Sequence, residues 1–260
     1  ISDRVRMERL RQRTERLEAV AELSASLAHE IKNPLASISS SVQQLGLGEA
    51  ANEDDLLLSQ LILKESDRLS RLLSDFIDFA RVRIERTREL DLRQIVSHAL
   101  QVVQQHPAYG DDVEIRVSLE EQPVLFEGDE DLMHRVVTNL VLNAMQAAAT
   151  DSKTVVEVEV RSAEGEAAPP GIDIAHPVFL QVSDNGPGIE DSDLKRIFDP
   201  FFSKRRGGSG LGLAIVHRAV REHRGTVLVT SSPETGTRFT VCLPRKETPA
   251  PTDVAGEKMS

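Results

Sequence analysis

The run His29-Glu30-Ile31-Lys32-Asn33-Pro34-Leu35 sets an imidazole beside a carboxylate in the middle of a helical pattern. At 100° per residue, His29 lies about 200° from both Leu27 and Ile31, which aims it away from the apolar stripe and toward water. An imidazole there can be a nucleophile. Glu30 can hold the Nδ1 proton, leaving the Nε2 lone pair for a phosphorus. Pro34 has no amide hydrogen, so the carbonyl of Glu30 loses its helical partner and a bend is expected, at a cost of about 3 kcal/mol. A helix-surface histidine and a packing kink are also common in inert helices, so this run decides nothing alone.

Three further runs carry polar or glycine-rich chemistry. Asn139 and Asn143 fall on one face of an otherwise apolar helix. Buried amides need partners, which a metal ion with phosphate oxygens would supply and loop backbone would supply equally. Asp184-Asn185-Gly186-Pro187-Gly188-Ile189 ends a strand. Its glycines let backbone approach a flat ligand, and Asp184 can accept from an exocyclic amine, although Asp-Asn-Gly is also ordinary turn chemistry. Gly207-Gly208-Ser209-Gly210-Leu211-Gly212-Leu213 leads into a helix, where free amides can cradle phosphate, with Lys204, Arg205 and Arg206 upstream, although such a run also suits a flexible lid. It lacks the Gly-Lys-Ser/Thr ending of a Walker loop and the βαβ setting of a Rossmann turn.

The elements that must position these groups follow from periodicity. Leu17, Val20, Leu23, Leu27, Ile31, Ile38, Val42 and Leu45 form one helical stripe. Gly46 to Asp55 breaks it, and Leu58, Ile62, Leu69, Leu72, Phe76 and Phe79 form a second stripe. Two such helices make an antiparallel hairpin, and its narrow seam predicts completion by a second copy as a homodimeric four-helix bundle, with packing onto the chain's own second half as the alternative. After Arg88 the pattern alternates. Helices are expected at Leu92 to Gln105, Asp131 to Ala149 and Leu211 to His223. Strands are expected at Val113 to Leu119, Thr154 to Arg161 and Val178 to Ser183, with a hairpin from Thr226 to Leu243 turning at Pro233 to Gly236. That mixture predicts an α+β sandwich. Residues 246–260 read as a disordered tail.

Composition narrows the class. The 260 residues carry a net charge of −11, which argues against a nucleic-acid partner. Cys242 is the single cysteine, so neither an internal disulfide nor a cysteine-rich zinc site is available. Its apolar flanks predict a core strand position. No apolar run reaches the roughly 20 residues of a spanning helix, and no signal-peptide pattern opens the chain. The chain as given therefore reads as soluble with no membrane contact of its own; its single cysteine fits a reducing, cytoplasmic compartment, and its start at Ile1 in a charged helical pattern reads as a piece of a longer protein whose missing upstream part would carry any membrane anchor.

In this order, the runs resemble the sensor histidine kinases of two-component systems, from Leu17 to Pro244. The phosphoacceptor motif is matched by His29 to Leu35, the N box by Asn139 to Ala144, and the G1 box by Asp184 to Ile189. The F box is matched by Ile197-Phe198-Asp199-Pro200-Phe201-Phe202, and the G2 box by Gly208 to Leu213. The wording around His29 looks most like the nitrogen-regulation and pilus-regulation branch. The resemblance implies a helical linker at 1–18, a dimerisation and phosphotransfer domain at 19–86, and a Bergerat-type ATP-binding domain at 87–245. It implies ATP and Mg2+ as cofactors, with Asp184 on the adenine amine, Asn143 on magnesium and Asn139 close by. Gly186 and Gly188 would shape the adenine side, and Gly208, Gly210, Leu211 and Gly212 the phosphate side. Lys204 would reach the phosphates, Phe198 and Phe202 would pack in a lid, and the hinge between Ala80 and Leu90 would move. Glu30 resembles the general base for His29, and Asn33 the residue that orients water when such enzymes dephosphorylate their response-regulator partner. The competing classes are a Bergerat-fold ATPase clamp that modifies no histidine, and a nucleotide-sensing dimer without catalysis. Ser209 stands where the family often has Thr, and the segment from Phe202 to Gly207 is short for a lid.

Overall fold

The computed structural model of the chain describes residues 31–42, 45, 53–147, 153–163, 174, 176–205 and 208–245. Two compact units divide the chain: Ile1–Val82 with Asp191–Arg218, and Arg83–Glu190 with Ala219–Ser260.

In the first unit, helix α1 covers 31–42 and continues across Pro34. Helix α2, Glu53–Arg81, buries Leu72 and Phe79 and half-buries Leu58, Ile62, Leu69 and Phe76, while Lys64, Asp67 and Arg71 face water. The stripe of α2 is as its period requires. On α1 the half-buried Ile31 and Ile38 fit the stripe, but Val42 is 52% exposed. The apolar surface of α1 is wider than the face that this single chain covers. From Asp191 the same unit holds a four-residue helix, α5, Asp191–Leu194, and a series of tight turns. There the Phe198 ring stacks on His217 at 5.1 Å and the Arg196 guanidinium lies over Phe202 at 4.6 Å.

In the second unit, strand β1 (Arg88–Asp91) pairs with β3 (Leu125–Gly128) as an antiparallel ribbon. Strands β2 (Val113–Leu119), β4 (Thr154–Ser162), β5 (Pro177–Asp184), β6 (Thr226–Ser232) and β7 (Gly236–Pro244) form a sheet ordered β2-β4-β5-β7-β6. Among the described residues only the β2–β4 pair is parallel. Helix α3 (Leu92–Val103) buries Leu92, Ile95, Val96, Ala99, Leu100 and Val103, the one-sided spacing that lets it pack on a neighbour. That neighbour is α4 (Glu130–Met145), which also lies against β4 and β5. Helix α6 spans Gly212–Glu222 and crosses from the first unit into the second. The sheet-and-helix layering is the expected α+β sandwich. On the face of β5 that carries Phe179, a smaller cluster joins Cys242 and Ala163, with Ile174 and Leu228 at its edge. Burial pushes the Cys242 thiol up to about 11, so it is a core residue and no nucleophile.

Three elements depart from the periodicity: β1, β3 and α5 have four residues each. Their charged residues (Arg88, Glu89, Asp91, Glu127, Asp191, Asp193) mask any alternation. Elsewhere the boundaries shift by a few residues. Strand β5 runs on to Asp184, so that carboxylate sits in the last pairing position, opposite Thr237 of β7 and Val156 of β4.

Candidate functional site

Asp184 is 7% exposed. Its Oδ1 accepts from the amides of Gly186 at 2.9 Å and Thr237 at 3.3 Å. Burial pushes the carboxyl above its ordinary range, and these two amides only partly oppose it. Among the described residues no donor engages Oδ2, which leaves that oxygen open.

Close backbone packing surrounds this carboxylate. A Cβ on Gly186 would stand 2.8 Å from Asp184 Oδ1 and 2.9 Å from the carbonyl oxygen of Ala147, just past the end of α4. The turn after β5 and the end of α4 are therefore in direct contact, and only glycine fits between them. Gly188 has φ +75° and would meet the Ser232 carbonyl at 2.6 Å. Beneath lies a polar network that sequence reasoning missed. The Ile189 amide donates to Ser231 Oγ at 2.8 Å, and Ser231 Oγ is 2.9 Å from Thr237 Oγ1. Thr237 is 4% exposed. Its signal in the sequence was slight, a hydroxyl following the hairpin glycine Gly236, which is ordinary turn composition.

The two asparagines of α4 differ. Asn139 donates from its amide nitrogen to the Arg135 carbonyl at 2.9 Å, one turn back on its own helix. Asn143 is half-buried, and among the described residues its side chain has no hydrogen-bond partner. An open amide oxygen on a half-buried face suits a hard cation such as Mg2+, which takes oxygen ligands. The bond of Asn139 engages only its amide nitrogen, so among the described residues its oxygen is open as well.

Lys204 and the glycine-rich run belong to the first unit. Lys204 is exposed and forms an ion pair with Asp193. A Cβ on Gly208 would meet Ser203 Oγ at 2.9 Å. Gly210 has φ +68° and lies against the backbone of Phe201, itself at φ +64°. Leu211 is fully buried and its amide donates to Ser209 Oγ at 3.3 Å. The Ser209 hydroxyl also hydrogen-bonds Asp75 of α2, whose carboxyl is raised chiefly by burial, with that bond opposing. Gly212 opens α6, so free amides begin there. Asn33 is exposed on α1. His29 and Glu30 lie outside the described residues.

A mixed α/β layer with a buried strand-end carboxylate, an open asparagine on the adjoining helix, and a helical hairpin in the same chain defines a class. The chain belongs to the sensor histidine kinases: residues 19–84 match the His Kinase A (phospho-acceptor) domain, and residues 128–247 match the histidine kinase-, DNA gyrase B-, and HSP90-like ATPase.

Among its relatives is the sensor histidine kinase ZraS of Escherichia coli O157:H7, 34% identical over 89% of this chain and 48% of that protein. The signal transduction histidine-protein kinase AtoS of Escherichia coli K12 is 32% identical over 88% of this chain and 36% of that one. The chain thus spans about half the length, or less, of the curated relatives it matches. A crystal structure of histidine kinase ThkA in complex with response regulator protein TrrA has the same fold, with a TM-score of 0.72. It is 23% identical and covers 95% of this chain and 68% of its own.

Proposed function

We propose that this chain binds ATP with Mg2+ in the layer bearing Asp184 and Asn143, phosphorylates His29, and passes the phosphoryl group to an aspartate of a response-regulator receiver domain. One observation carries the proposal: a match to a phospho-acceptor domain enclosing His29 precedes, in one chain, an ATPase match enclosing an open half-buried asparagine. A clamp ATPase or a nucleotide sensor has no use for the first.

Asp184 Oδ2 takes the adenine amine, and Gly186 and Gly188 let the base approach the backbone. Asn143 would hold the magnesium ion, which would supply charge neutralisation at the phosphate oxygens. Gly208, Gly210, Leu211 and Gly212 offer amides to the phosphates, and Lys204 adds charge. Nε2 of His29, with Nδ1 held by Glu30, forms a bond to the γ-phosphorus as the bond to the β–γ bridging oxygen breaks, releasing ADP. Asn33 orients water for dephosphorylation of the regulator, a role that its exposure on α1 supports.

Residues 19–86 serve as the dimerisation and phosphotransfer domain and 87–245 as the catalytic domain. Leu57, Leu61, Leu73 and Ile77 on α2, with Leu35 and Val42 on α1, are large apolar side chains exposed in the single chain. Covering them with a second copy supports the homodimeric four-helix bundle. The relatives at 34% and 32% identity favour sensors of the ZraS and AtoS kind over the nitrogen- and pilus-regulation branch. Among the described residues no helix is long and apolar enough to cross a membrane, which suits a cytoplasmic signalling module.

Incubation with γ-labelled ATP tests the function. The kinase predicts acid-labile, alkali-stable label that is lost in His29→Gln and in Asn143→Ala and that moves to a receiver domain. ATP hydrolysis without labelled protein would favour the clamp.

A further inference from the structure

The first of the three covalent connections between the two units runs through residues 82–87, between α2 and β1. Two amides inside it, those of Glu85 and Arg86, donate to Asp129 Oδ2 at 3.0 and 3.2 Å. The other oxygen, Oδ1, accepts from Leu132 N at 3.2 Å and caps α4, the helix that carries Asn143. The Asp129 amide donates to His223 Nε2 at 2.9 Å, and His223 Nδ1 donates to the Ala219 carbonyl at 2.7 Å. That pattern fixes the neutral tautomer of a ring that sits just past the end of α6, the helix that Gly212 opens. Asp129 and His223 are 7% and 5% exposed. Burial alone would raise the Asp129 carboxyl. The amides of Arg86, Leu132 and Glu85 outweigh it and hold the group below its ordinary range, so the clamp is ionised at neutral pH. Gly128 leaves no room for slack, because a Cβ there would lie 2.5 Å from the His223 ring.

A side chain that only capped α4 would need one acceptor oxygen. Asp129 uses both, and the second reaches 43 and 44 residues back to backbone of the connection. From this geometry we propose that Asp129 is a positioning residue for phosphoryl transfer, clamping the connecting segment to the start of the Asn143 helix. The freely moving part of the hinge then shrinks from Ala80–Leu90 to the few residues before Glu85, and tension in the connection is delivered to the helix that holds the magnesium ligand.

The proposal rests on the kinase function above, and its test separates the two. In the full chain, Asp129→Ser keeps a capping oxygen for α4 and lacks the second acceptor. Glu85→Pro removes one donor and leaves Asp129 intact. Three quantities are measured: amide exchange at Glu85, Arg86 and Leu132, the KM for ATP, and the maximum rate of His29 labelling. In Asp129→Ser, exchange at Glu85 and Arg86 rises about ten-fold while Leu132 stays protected. In both variants the maximum rate falls about ten-fold, with KM within about two-fold of wild type. A maximum rate unchanged despite lost linker protection, or Glu85 and Arg86 protection unchanged in Asp129→Ser, overturns the clamp. Wild-type chain that takes no label sinks the kinase function instead, and the exchange at Glu85 and Arg86 still decides whether the clamp exists.

Discussion

Asp184 and Lys204 are the two charged side chains proposed to meet the nucleotide, and the protein holds them in opposite ways. Asp184 is 7% exposed, ends a paired strand and takes two backbone amides. Lys204 has a side chain 61% exposed and an ion pair with Asp193 in a turn region. Shape and recognition therefore reside at the strand end, where packing determines geometry before any ligand arrives. The proposed role of the glycine-rich stretch is to offer backbone amides and the exposed charge of Lys204 to phosphates.

If that contrast is right, one methyl group has very different effects in the two regions. Gly236→Ala places a Cβ 2.0 Å from the Asp184 carbonyl oxygen at φ +74°. It is expected to cost more than about 3 kcal/mol in denaturant unfolding and to abolish nucleotide binding. Gly208→Ala meets only the rotatable Ser203 hydroxyl and is expected to cost less than about 1 kcal/mol. Equal losses would erase the contrast.

Asp184→Asn should weaken ATP binding by about 100-fold by calorimetry, because it replaces a charged acceptor. Stability should not fall with it. The folded-state pKa of Asp184 is raised, so the folded form binds its proton more tightly than the unfolded chain does. That contribution is complete below the ordinary carboxylate pKa and is lost as pH rises through the folded value. At neutral pH the buried charge is a burden that asparagine removes, and the wild type regains ground on the variant as pH falls into the carboxylate range. A variant less stable than wild type at neutral pH would contradict this account of the burial.

Thr237→Val keeps the backbone amide to Asp184 and deletes the hydroxyl beside Ser231. The expected loss is about 1 kcal/mol by thermal unfolding. Lys204→Ala should leave the melting temperature unchanged and weaken ATP binding only about three-fold, as for other solvent-screened charges.

Much of this site was legible because its chemistry is local. The alternation of Val113 to Leu119 placed β2 to the residue, and the glycines flanking Pro187 announced the turn after Asp184. The missing parts depend on contacts distant in sequence. Thr237 lies 53 residues from the carboxylate it supports, and His223 lies 94 residues from Asp129. Neither partner carries any trace of the other in its neighbours. That Asn139 ties its amide nitrogen to its own helix, while Asn143 makes no such bond among the described residues, also needed the structure, since a spacing of four makes the two equivalent. The exposure of Val42 was masked by a stripe that continues through it.

The central claim is that a phosphoryl group leaves ATP for one particular histidine. Peptide mapping of the full chain after incubation with ATP and Mg2+, under alkaline conditions that preserve phosphohistidine, locates it directly. The account predicts phosphate on the peptide containing His29 and on no other. Phosphate on a different peptide, or an unmodified chain beside released inorganic phosphate, would contradict it.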